Sequence, residues 1–95
     1  MTPHRIRLTG FWTATATADG RVEHARSFGK PRTNDPTETL WVVTATPGEV
    51  HVNGTSLGDG NEVRIGVELQ PRNRLAILTS AGETLGDVAI EIRQS

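Results

Sequence analysis

Apolar residues in this chain alternate with polar ones along short runs, and nowhere do they recur at the i, i+3, i+4, i+7 spacing that an amphipathic helix needs. In "HRIRL" Ile6 and Leu8 fall on one side and Arg5 and Arg7 on the other. The same period of two runs through "TLWVVTAT", "EVHVN", "EVRIGV", "NRLAIL" and "GDVAIEI". Turn residues interrupt it at intervals of about 8–12 residues, the pattern of an all-β sandwich or barrel. A chain of 95 residues supports one core, so the expectation is a single β-sandwich domain over residues 1–95 with seven to eight antiparallel strands.

The turns are specified by residue chemistry. In "EVHVNGTSLG", Val50 and Val52 point one way, Asn53-Gly54 suits a two-residue type I′ turn, and Leu57 returns to the apolar side. Asp19-Gly20 suits the same turn between the arms of "FWTATATADGRVEHARSF", which would set Thr15 opposite His24 and Phe11 opposite Phe28. Pro47-Gly48 reads as a turn between two separate strands, while "GKPRTNDPTE", "DGN" and "AGETLG" read as loops.

Composition excludes several function classes. No cysteine is present, so disulfides, thiolate catalysis and cysteine-held zinc are ruled out. No apolar run approaches the ~20 residues of a membrane span, and "MTPHRIRLTG" has no signal-peptide character. A cytoplasmic protein is the expectation. The net charge is -1, but residues 1–33 hold six Lys and Arg against Asp19 and Glu23, whereas residues 34–62 hold acids alone. Basic and acidic strands lying side by side account for this layout. No basic stretch is interleaved with aromatics, so nucleic acid is not expected as a partner.

Nothing in the chain carries catalysis. No nucleophile elbow occurs, no glycine loop leads into a helix, and the acids fall in turns or at polar alternation positions. His4, His24 and His51 have no metal-ligand spacing, so no metal or other cofactor is expected. "NGT" at residues 53–55 has the form of a glycosylation acceptor, and the hairpin accounts for it.

The order of the pieces resembles that of the galactose-binding-domain-like jelly rolls. It is most similar to the sugar-binding domain that precedes the catalytic barrel in family 2 glycoside hydrolases. Val50, Val52, Asn53, Gly54 and Gly58 match that family's "V-x-V-N-G-x-x-x-G" hairpin. Leu69, Pro71, Asn73 and Leu75 match its "L-x-P-G-x-N-x-L" turn, with this chain one residue shorter there, and "RSFGKP" resembles its early strand. The resemblance implies a jelly-roll sandwich that is a non-catalytic accessory module with a carbohydrate-binding ancestry. It departs from the family where an aromatic-rich loop shrinks to "DGN" and the next strand reads "VRIGVE". An immunoglobulin or fibronectin-like sandwich is the alternative that strand count and length allow.

The binding candidates are aromatic and apolar. In "LWVVTA", Leu40, Val42 and Thr44 share one face and Trp41, Val43 and Ala45 the other, so both faces are apolar. Either the 29–37 stretch covers Trp41, or Trp41 and Val43, with Trp12 as a neighbour, meet a partner. That partner would be a sugar ring, another protein or a second copy of the chain.

Overall fold

In a computed structural model that describes residues 4–33 and 36–94, the chain is all-β. Seven strands are formed: β1 (His4–Arg7), β2 (Thr13–Ala16), β3 (Arg21–Gly29), β4 (Glu38–Val52), β5 (Thr55–Arg64), β6 (Arg72–Ser80) and β7 (Val88–Gln94). All pairings are antiparallel, in the order β1-β7-β4-β6-β3-β2, with β5 on the other edge of β4. No helix forms among the described residues, so none is long and apolar enough to cross a membrane.

The curl of this sheet originates in β4. Its first half pairs with β7, from Glu38 opposite Gln94 to Thr44 opposite Val88. Its second half pairs with β6, from Glu49 opposite Leu78 to Val52 opposite Leu75. Between the halves, residues 44–47 bulge out against Asn61 alone. A bulge bends its strand and increases the local twist, and here it turns the β1-β7 wing towards the β6-β3-β2 wing. The sheet becomes a half-barrel whose concave side holds Val42, Val50, Val52, Val63, Leu75, Ile77 and Ile90. Leu8, Leu69 and Leu85 enter that core from the connections.

Four local expectations are corrected. Pro47-Gly48 is no turn: β4 runs on through it as one strand of 15 residues. The reason is close approach, because a Cβ on Gly48 would come within 2.7 Å of both Ile77 Cγ2 and the Leu78 carbonyl oxygen. Nor is "DGN" a loop, since Gly58 and Gly60, at φ +132° and +129°, lie inside β5 and keep it paired with β4. The β2-β3 hairpin sits one residue from the expected register, with Thr15 opposite Glu23 and Ala14 opposite His24. Only Gly20 of its turn has positive φ, and Gly20 N–H donates to the Thr17 carbonyl while Thr17 N–H donates to that of Arg21. That is a three-residue loop closed by a glycine bulge, fixed by the Thr17 hydroxyl, which bonds the Asp19 carboxylate and accepts from Arg21 N–H. Finally, Phe11 does not face Phe28: it lies outside any strand, at φ +62°.

Asn53-Gly54 behaves as its chemistry dictates, with φ of +52° and +84° and Val52 opposite Thr55 across the two-residue turn.

Candidate functional site

The convex side of the β1-β7-β4-β5 wing carries the residues that alternation turns away from the core. One row across the strands runs Arg5, Glu91, Trp41, Arg64, and the next runs Arg7, Ala89, Val43, Glu62. Trp41 and Val43 therefore share this face, as the sequence indicates, and both are half-buried. Trp12 does not join them. It packs against the core cluster and donates its indole N–H to the Leu8 carbonyl at 2.9 Å.

Trp41 is covered by a side chain from the far end of the chain. The Arg93 guanidinium lies 4.6 Å from the centre of the indole, a cation–π contact. The indole N–H donates to Thr39 Oγ1 at 3.0 Å. Arg93 is itself held by Glu91 Oε1 at 2.6 Å and by the Glu62 carboxylate. Arg5 completes the array by donating to Glu91 Oε2 at 2.7 Å. The Glu91 side chain is only 9% exposed, with both carboxylate oxygens bonded. The hydrogen bond from Arg5, then that from Arg93, holds its carboxyl below the ordinary glutamate value. Hydrogen bonds to Glu62 and Glu91 raise the Arg93 guanidinium in turn.

Beside this array lies a hollow of 280 Å³, where the β4 bulge parts from β7. Val43 and Ala89 line it as cross-strand partners, Arg5 and Arg7 line it from β1, and Asp87 lines it from just before β7. Asn61 Nδ2 fixes the bulge by donating to the Thr44 and Ala45 carbonyls, while Ala45 N–H donates to that of Asp87. Arg5 is committed to Glu91, whereas Arg7 has no ion-pair partner among the described residues. The hollow thus offers one uncommitted cation next to an apolar surface.

Further ion pairs tie the β3-β6 wing together. Arg21 bridges Asp19 at 2.8 Å and Glu49 at 2.6 Å, joining the basic N-terminal third to the acidic middle, and Arg74 meets Glu23 at 2.7 Å. The histidines stay apart. His24 Nε2 lies 3.0 Å from Thr79 Oγ1 on the core side, and His51 Nε2 lies 3.4 Å from Glu49 Oε1 on the opposite side of the sheet. Among the described residues no group of His, Asp or Glu has the clustering of a metal site.

Phe11 is a feature that sequence reasoning missed. It is 89% exposed and holds a backbone conformation that costs a bulky residue about 1–3 kcal/mol. Arg26 ties this segment down by donating to the Thr9 and Gly10 carbonyls, with its guanidinium 5.8 Å from the Phe11 ring centre. The one hint in the sequence is Gly10, which breaks the alternation just before it.

No family model matches the chain, and neither does any curated protein or solved structure.

Proposed function

We propose that the chain is a non-catalytic interaction module whose partner is protein, built on a reduced form of the galactose-binding-domain-like sandwich. The observation that carries this reading is Arg93 over Trp41. A pyranose stacks on an open aromatic face, and the face that would serve is taken by a guanidinium held by two carboxylates. The carboxylates Glu91, Glu49 and Glu23 are each committed to arginine, which argues against their serving as acid–base groups. The exposed Phe11 and the uncommitted Arg7 are features that protein partners use, since aromatic and arginine anchors dominate such interfaces.

The second reading is a carbohydrate module, favoured by the family resemblance and by the hollow beside Val43. A glycan array probed with the native chain and with Arg93→Ala tests both readings. The expected outcome is no glycan bound by the native chain. Native binding that is lost in Trp41→Ala or Arg7→Ala would overturn the protein-partner reading.

A further inference from the structure

We infer that β2 is a dimerisation edge, on which a second copy of the chain adds its own β2 antiparallel and extends the sheet across a two-fold axis. This rests on the interaction-module reading and names the partner.

Among the described residues the sheet has three free edges, and they are not equally protected. β1 carries Arg5 and Arg7. β5 carries Asp59, Glu62 and Arg64 and is bulged next to Gly58. Charges and bulges are the devices that stop a sheet edge from pairing with another chain. β2, Thr13-Ala14-Thr15-Ala16, has no charge, no proline and no bulge, and all four of its residues are exposed.

The hydrogen-bond phase of β2 is fixed by its turn. Thr17 N–H donates to the Arg21 carbonyl, so Thr17-Arg21 is a bonded pair. Bonded pairs alternate in an antiparallel ladder, which places the next ones at Thr15-Glu23 and Thr13-Ala25. The N–H and C=O groups of Ala14 and Ala16 therefore point to the open edge.

That arrangement is self-complementary. With Thr15 on the axis opposite its own copy, Ala14 of each chain exchanges two bonds with Ala16 of the other, and Thr13 lies opposite Thr17. Thr–Thr pairs are favourable across strands, and no like charges meet within the strand. The Thr15 hydroxyl has no partner among the described residues and is free to bond across the axis. Antiparallel pairing also brings the Arg26-Phe11 end of one copy against the Asp19 turn of the other. This gives the exposed Phe11 cover and sets the Arg26 guanidinium against the Asp19-Arg21 ion pair.

The test combines light scattering over a concentration series with amide hydrogen exchange. The native chain is expected to dimerise as concentration rises, and the Ala14 and Ala16 amides should gain protection in step. The Thr13 and Thr15 amides, already bonded to β3, should stay protected throughout. Thr15→Lys puts two like charges on the axis and should weaken dimerisation tenfold or more. Ala16→Pro removes one outward N–H without touching the β3 ladder and should act alike. Asp59→Lys, on the β5 edge four strands away, keeps that edge charged and should leave the dimer intact. A native chain that stays monomeric, or a dimer that withstands Thr15→Lys, overturns the inference. A glycan hit on the array would overturn the interaction-module reading through a different measurement.

Discussion

Asn53 Nδ2 donates to Asn73 Oδ1 at 3.0 Å, which joins the tip of the β4-β5 hairpin to the turn that enters β6. Asn73 is buried and completes the turn by accepting from Gln70 N–H and donating to the Gln70 carbonyl, both at 2.8 Å. Asn53 Oδ1 accepts from Arg74 N–H, while Asn53 N–H donates to the Arg74 carbonyl. The two stretches that carry the family resemblance are thus one polar joint.

Asn73→Ala should lower stability by about 2–3 kcal/mol, because the Gln70 and Asn53 groups lose their partner. Asn53→Ala should cost less, through the lost bonds and the strain of Ala at positive φ. Chemical denaturation of both single variants and the double variant should give a coupling of about 0.5–3 kcal/mol. Strict additivity would show that the joint contributes nothing as a unit.

Two glycines separate conformational strain from crowding. Gly54 has φ +84° and open space around it, so Gly54→Val should cost about 1–3 kcal/mol through backbone strain alone. Gly48 needs no positive φ, but an added Cβ meets the Leu78 carbonyl oxygen at 2.7 Å, and a backbone atom in mid-ladder cannot step aside. Gly48→Ala should cost about 3 kcal/mol or more and loosen the β4-β6 pairing. An unchanged melting midpoint for Gly48→Ala would mean that β4 does not pass as close to β6 as described.

These two glycines also mark the limit of what the sequence shows. Gly54 is legible because Asn-Gly between alternating arms admits one turn type, and the period of two places Val50, Val52, Leu75 and Ile77 in the core. Gly48 is not legible, because Pro-Gly has the local chemistry of a turn and only its contact with Ile77 and Leu78 makes it a strand residue. Asp19-Gly20 suits two loop lengths, and the Thr17 side chain decides between them. At the candidate site, alternation sets Trp41 and Val43 on one face, but nothing near them in sequence announces Arg93. Its place over Trp41 follows from β7 pairing with β4, which puts Glu91 opposite Trp41 and Arg93 opposite Thr39.

Trp41→Ala should leave a folded domain, because the indole lies on the convex side and is absent from the core cluster. The cost is expected at about 1–3 kcal/mol, below the ~3–5 kcal/mol of a fully buried aromatic, since packing under Arg93 is lost but no core cavity opens. Thermal melting and a retained β-type circular dichroism spectrum check this. An unfolded Trp41→Ala chain would place the indole in the core after all.

Glu91 gives the fold an acid-sensitive fastening. Its carboxyl sits below the ordinary glutamate value of 4.5, chiefly through the hydrogen bond from Arg5 and then that from Arg93. In the acid range the unfolded chain therefore binds a proton that the folded chain resists. The stabilisation from Glu91 is complete above the ordinary value and is lost as pH falls through the depressed one. Asp19 and Glu49 are lowered in the same direction, but both are more exposed and more open to screening by salt. Glu91→Gln should therefore be less stable than the native chain at neutral pH, and that gap should persist in high salt. It should narrow as pH falls below the ordinary glutamate value and close as pH passes through the depressed one, where native Glu91 takes up its proton. Urea midpoints for both proteins from neutral to about pH 3 measure the gap. A gap that stays constant over that range would show that Glu91 stabilises the wing by packing, without its charge.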